Sequence, residues 1–215
     1  GQRINRSIIQ SSFVEINRMY ESQKVLQKNV VFLICDNTLE AILLYCYHLV
    51  HKNIVFLIGR EKGDRDIIDL IDNFAPEEIF LCPGRFRHEE QVRELKSRNY
   101  RRVSGYHQYT RYQRRYNDVR SNLDDNTALL ITTSGSVGNG KVVALSYDNL
   151  RKNAEAIIQL LEIDHHDMAG LLLPISYVYG LSVVNSHLLA DAEILLPPGN
   201  MFQASYWNYL EEMKV

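Results

Sequence analysis

The run Thr132-Thr133-Ser134-Gly135-Ser136-Val137-Gly138-Asn139-Gly140-Lys141 gathers residue types that hold anions. Glycines at 135, 138 and 140 allow φ > 0 and bring backbone N–H groups close to a ligand; Ser134 and Ser136 add hydroxyls, and Lys141 adds a positive charge. The composition is that of a phosphate cradle. It lies between the apolar run Ala128 to Ile131 and the β-branched pair Val142-Val143, which makes it a loop between two strands. Gly135-x-x-x-x-Gly140-Lys141 also fits a Walker A loop up to its lysine, but that loop needs a hydroxyl next, for Mg²⁺, and opens a helix. Here Val142-Val143-Ala144-Leu145 follows, a strand-like run, and the next helix opens near Ser146. A P-loop NTPase predicts helix from Val142 onward; the alternative predicts strand.

Three stretches fall into one pattern: the loop, the helix opening Ser146-Tyr147-Asp148-Asn149-Leu150, and Pro174-Ile175-Ser176-Tyr177-Val178-Tyr179-Gly180-Leu181. Together they resemble the adenylate-forming superfamily of acyl-CoA synthetases, peptide-synthetase adenylation domains and luciferases. That family's loop runs Thr-Ser-Gly-Ser/Thr-Thr-Gly-x-Pro-Lys-Gly, then a strand, then Ser/Thr-His-x-Asn-Leu. Thr133 to Gly138, Lys141, Ser146, Asn149 and Leu150 fall on matching positions, and Pro174, Tyr177, Gly180 and Leu181 match its later motif. Val137 stands where threonine is usual, Gly140 where proline is, Val142 where glycine is, and Tyr177 where many members have histidine.

The resemblance implies attack of a small carboxylic acid on the α-phosphorus of ATP, giving an acyl-adenylate and pyrophosphate. Transfer of the acyl group to coenzyme A, or to the phosphopantetheine thiol of an acyl carrier protein, would follow. It assigns Thr133, Ser134, Gly135, Ser136, Val137, Gly138 and Lys141 to the ATP phosphates, with Lys141 as the catalytic group. Tyr177, Tyr179 and Gly180 would border the substrate pocket. Neither Tyr-Gly-x-Thr-Glu, whose glutamate holds Mg²⁺, nor Thr-Gly-Asp, whose aspartate belongs to the ribose motif, occurs in these residues. The main Mg²⁺ ligand is therefore expected outside this chain. The whole of 1–215 is expected to be a single, incomplete N-terminal AMP-binding domain, inactive or nearly so by itself. A non-catalytic nucleotide- or phosphate-binding module, with Val137 and Gly140 marking a decayed loop, is the rival from another class.

The elements that must position these residues can be read from periodicity. Ser7 to Gln27 carries an amphipathic helical pattern, Val30 to Ile34 is a buried strand, and Asn37 or Thr38 can cap a helix to about Lys52. A strand over Asn53 to Ile58, a helix over Asp64 to Phe74 and a strand over Glu78 to Cys82 follow. Strand and helix alternating with short turns predict an α/β fold, a mostly parallel sheet with flanking helices. Asp36, just past a strand end, reads as a helix cap rather than a catalytic acid. Beyond the loop, a helix over Ser146 to Leu161, a strand Leu171 to Leu173, a helix Leu181 to Ala190, a strand Ile194 to Leu196 and a helix Phe202 to Met213 are expected. No opening strand is read before the first helix.

Composition sets bounds. At 215 residues and 46% hydrophobic the chain can bury one sizeable core, and a net charge of −2 gives no global attraction to nucleic acid or membrane. The longest apolar stretch, Ala41 to Val50, is far below the roughly 18 residues of a membrane span. Arginines and tyrosines interleave from Arg93 to Arg120, a pattern that can serve single-stranded nucleic acid. The reading preferred here is a solvated connection with tyrosines packed inward and arginines outward. Cys35, Cys46 and Cys82 are widely spaced and expected to be buried thiols, as in a cytoplasmic protein. His165-His166-Asp167 reads as an exposed turn, and no metal site is assigned. Self-association of such a fragment, through surfaces it leaves uncovered, is a further expectation.

Overall fold

A computed structural model describes residues 1–20, 28–86, 89–115, 123–133, 141–199 and 201–215. Its larger sheet is built on four parallel strands: β2 (Val30–Cys35), β3 (Ile54–Gly59), β4 (Glu78–Leu81) and β7 (Thr127–Thr132), with the neighbours in the order β4-β2-β3-β7. Residues of β2, β3 and β4 are buried along their whole length. Helices cover both faces of such a sheet, which is why these strands, Glu78 at the start of β4 apart, read as apolar runs rather than alternating ones. The helices α2 (Leu39–Val50) and α3 (Asp64–Phe74) make the crossovers from β2 to β3 and from β3 to β4. Those two steps run in opposite directions across the sheet, so right-handed crossovers place the two helices on opposite faces.

Antiparallel strands close both edges. On one side β8 (Val142–Ser146) pairs with β7; on the other, α4 (Glu89–Ser97) leads into a hairpin of β5 (Tyr100–Tyr106) and β6 (Tyr109–Arg114), with β6 against β4. This hairpin corrects the expected solvated connection. Its tyrosines at 100, 106, 109 and 112 are buried, as expected, and Arg101 and Arg102 are exposed on the edge strand, where charge discourages pairing with another chain. Arg111 instead points inward and is fully buried, because it lies diagonally across the β4–β6 ladder from Glu78 and makes a two-pronged ion pair with it, Nε to Oε2 and Nη2 to Oε1 both at 3.0 Å.

A second sheet of three strands runs β1 (Gln2–Ile4), β10 (Glu193–Leu196), β9 (Met168–Gly170). β9 and β10 are parallel, joined through α6 (Val178–Leu189), and β1 is antiparallel to β10. The short β1 was not expected; in Gln-Arg-Ile only Ile4 is buried, too brief a pattern to read. The strand expected at Leu171 to Leu173 lies at Met168–Gly170 instead. The Leu171 N–H still bonds the Leu195 carbonyl at 2.9 Å, but the approach to Pro174 turns the chain out of the ladder and leaves Leu172 38% exposed.

α2 packs on β2 and β3 and is apolar on most sides, as a helix buried most of the way round must be. α1 (Arg6–Tyr20) packs on it, with Phe13 edge-on to Tyr47 at 5.4 Å and the Tyr47 hydroxyl donating to Asn17 at 2.8 Å. The Tyr45 hydroxyl donates to Asn185 of α6 at 2.9 Å. One apolar cluster accordingly takes in side chains of both sheets, Ile4 and Ile194 with Phe32 and Phe56. α5 (Tyr147–Leu161) opens where expected, on a capping box in which Ser146 and Asn149 satisfy each other's backbone N–H. α7 (Ala204–Met213) closes the described chain. Cys35 and Cys82 are buried, Cys46 half-buried, and burial pushes the last two thiols up to about 11 and about 12.

Candidate functional site

Because β2, β3, β4 and β7 are parallel, Cys35, Gly59, Leu81 and Thr132 all end at one edge of the sheet. The chain leaves β2 toward one face and β3 toward the other, which opens a crevice between their ends; such crevices are where ligands bind in open α/β sheets.

The loop that opened the sequence analysis leaves the sheet at this same edge. Its residues Ser134, Gly135, Ser136, Val137 and Gly138, with Asn139 and Gly140, lie outside the described residues. Its two ends are described. Thr132 pairs with Val142, and beyond them Thr133 donates twice to the Lys141 carbonyl, from its N–H at 2.9 Å and its hydroxyl at 3.3 Å. The seven residues 134–140 thus begin and end in one clasp, with Lys141 exposed beside it. After Lys141 comes β8, a strand, then α5. That order contradicts a P-loop NTPase, whose lysine must open a helix. Extending the register of β3 on β7, in which Phe56 pairs with Leu130, brings Gly59 level with Thr133, one strand spacing of about 4.8 Å away.

The second stretch, 174–181, faces the ends of β2 and β3. Asn37 holds it: the side-chain amide donates to the Leu173 carbonyl at 2.9 Å, and its oxygen accepts the Ile175 N–H at 2.9 Å. The chain then turns, the Tyr177 N–H bonding back to the Pro174 carbonyl at 3.0 Å, and α6 begins. Gly180 is required there. A Cβ on it would stand 2.4 Å from the carbonyl oxygens of both Leu173 and Pro174, so the helix packs on the turn only without one. Tyr177 directs its hydroxyl to Glu61, just past β3, at 3.2 Å, and the Glu61 carboxylate raises the Tyr177 pKa by its charge and by accepting that bond. Tyr179 is 63% exposed on the first turn. Of the expected pocket residues, Tyr177 is tied to the β3 exit, Gly180 is buried in packing, and Tyr179 stands in solvent.

A cleft of about 620 Å³ lies between these parts, with Cys35, Asp36, Asn37, Arg60 and Glu61 on one side and the 171–174 and 196–206 segments on the other. Asp36 is not the helix cap; it pairs with Arg60 at 2.7 Å, and Thr38 caps α2 by accepting the Ala41 N–H at 3.2 Å. Asn37, whose side chain splints the turn to β2, was read only as a possible cap, and Glu61 was not read at all. No local pattern marks either, since their partners lie more than a hundred residues on.

Among the described residues no group of three or more metal-ligating side chains is brought together. His165 and His166 lie on an exposed turn held by Asp164 and Asp167, as expected. No described helix is long and apolar enough to cross a membrane.

A family model for AMP-binding enzymes matches residues 25–215. Among solved structures, ATP-bound MatB from Rhodopseudomonas palustris superposes with a TM-score of 0.74 at 17% identity, over 92% of this chain and 41% of that protein. The o-succinylbenzoate CoA synthetase of Bacillus subtilis, in complex with its acyl-adenylate intermediate, superposes with a TM-score of 0.70 at 15% identity, over 96% of this chain and 53% of that one. The chain spans about half the length of such proteins, or less.

Proposed function

The chain belongs to the AMP-binding enzyme family, and on that premise we propose that it is the N-terminal part of an enzyme that adenylates a carboxylic acid with ATP. One observation carries the reading: a loop rich in glycine and hydroxyls, clasped by Thr133 and Lys141, leaves the carboxyl edge of a parallel sheet and is followed by a strand. The donor set fits a polyphosphate.

In this reading Thr133, Ser134, Gly135, Ser136, Val137 and Gly138 contribute backbone and hydroxyl donors to the β- and γ-phosphates, and Lys141 supplies the countercharge. A carboxylate oxygen of the substrate attacks the α-phosphorus and the bond to the bridging oxygen breaks, so negative charge grows on departing pyrophosphate. Lys141 is placed to offset that charge, the kind of electrostatic help that accounts for most catalysis of phosphoryl chemistry. Of the three expected pocket residues, Tyr177 is the one offered to the acid, through its bond to Glu61 at the cleft, while Gly180 serves the packing of the turn beneath it. Mg²⁺ accompanying ATP takes its main protein ligand from outside this chain, and the acyl group passes on to the thiol of coenzyme A or of a carrier protein. Three cysteines outside any disulfide favour the cytoplasm. Residues 1–215 form an incomplete domain without turnover of its own, and its exposed Leu160, Leu161 and Tyr179 favour self-association when it stands alone.

Acid-dependent exchange of pyrophosphate into ATP by the full-length protein tests the reading. Lys141→Ala is expected to slow that exchange ten- to a hundredfold, about 1.4 to 2.8 kcal/mol of transition-state stabilisation. ATP binding with no exchange for any acid favours the non-catalytic module instead, which the departures at Val137 and Gly140 would suit.

A further inference from the structure

The charges around the cleft carry information about the acid it takes. Arg60 is the cation in its described wall, and it is already neutralised by Asp36 at 2.7 Å. Glu61 is in the same wall, with the Tyr177 hydroxyl as its hydrogen-bond partner and no cation paired to it among the described residues. The remainder is mainly apolar, from Leu171, Leu173, Leu196, Met201 and Phe202. With one negative charge uncompensated among the described residues of this wall, a second carboxylate brought here meets repulsion, whereas an ammonium group meets attraction and an alkyl chain meets neither. Two splints keep these parts in place: Asn37 fixes the 173–175 turn to the exit of β2, and Tyr177 fixes it to Glu61.

We propose that the cleft receives the tail of the acid substrate, and that Glu61 makes the protein select monocarboxylic acids with an apolar or amino-bearing tail and reject dicarboxylic acids. The inference rests on the adenylation reading for the word substrate, but the charge selection concerns binding alone.

The test uses the full-length protein and three acids of equal chain length, hexanoate, 6-aminohexanoate and adipate. Their dissociation constants are measured without ATP by calorimetry or ligand-observed NMR, for wild type and Glu61→Gln, at low and high salt. Wild type is expected to bind 6-aminohexanoate and hexanoate at least threefold tighter than adipate. Glu61→Gln, which keeps shape and a hydrogen-bond acceptor for Tyr177, is expected to shrink the ratio of 6-aminohexanoate to adipate affinity by about three- to tenfold, less at high salt. An unchanged ratio in Glu61→Gln, or tighter wild-type binding of adipate, overturns the inference. Pyrophosphate exchange on the same samples reports separately: its absence with every acid sinks the adenylation reading while the binding ratio still decides the role of Glu61.

Discussion

His48 is 1% exposed, and its two ring nitrogens are set by neighbours that leave one consistent arrangement. The Tyr20 hydroxyl gives its single proton to Glu78 at 2.6 Å, so its oxygen accepts from His48 Nε2 at 3.4 Å. The other nitrogen, Nδ1, then accepts from the Asn53 amide at 3.0 Å, and Asn53 cannot turn over without losing the Asn29 N–H that its oxygen accepts at 3.1 Å. A second proton on His48 would face a donor. Burial above all, with Arg111 and His51 adding to it, pushes the His48 pKa down to about 3. The folded chain therefore binds one proton fewer than the unfolded chain between about pH 3 and the unfolded value near 6.5, so this contribution to stability is complete above pH 6.5 and is lost as pH falls. Stability is expected to drop by about 1.4 kcal/mol per pH unit on this account between pH 6 and 4.5. His48→Gln should flatten that slope in urea unfolding followed against pH; an unchanged slope would assign the loss to other groups.

At the scale of elements, the hairpin of β5 and β6 is held to the parallel strands through the Arg111–Glu78 pair, over whose guanidinium the Tyr20 ring lies at 4.2 Å. Removing one member leaves a buried charge without its partner. Arg111→Met is expected to cost about 3–5 kcal/mol in chemical denaturation, and Arg111→Met with Glu78→Leu to recover most of it. A double variant as unstable as the single one would mean the pair holds the hairpin by geometry rather than by neutralising Glu78. The hairpin also shows where sequence reading stops. β2 and β3 could be read because strands buried on both faces are apolar throughout, β4 from its Ile79-Phe80-Leu81 run, and α3 and α5 because their apolar positions recur at helical spacing and Ser146 caps the second. β6 could not, because its inward arginine looks like a surface residue until Glu78 is beside it. β9 was misplaced for a related reason: Leu171 to Leu173 is apolar as a strand would be, yet Leu172 and Leu173 line the cleft. In the candidate site Thr133, Lys141 and Tyr177 could be singled out because they sit in short local motifs, whereas Asn37 and Glu61 act only on partners that folding brings to them.

For the whole molecule, two sheets meet across α2 and α6, and their strand ends frame the cleft. The Thr133–Lys141 clasp belongs to the seven-stranded sheet, the Tyr177 turn to the connection between β9 and α6, and Asn37 and Glu61 join the two. In the proposed function this division gives ATP to one part and the acid to the other, each in fixed orientation toward the other, which is the larger share of what a phosphoryl-type reaction asks of a protein. The measurement that tests this most directly follows one oxygen atom. Full-length protein is given ATP, the thiol acceptor and the acid it exchanges best, labelled with ¹⁸O in its carboxylate, and the nucleotide products are read by mass spectrometry. Attack by the carboxylate on the α-phosphorus predicts AMP carrying one ¹⁸O, with unlabelled pyrophosphate. Label in inorganic phosphate accompanied by ADP, or AMP formed without label, would contradict it.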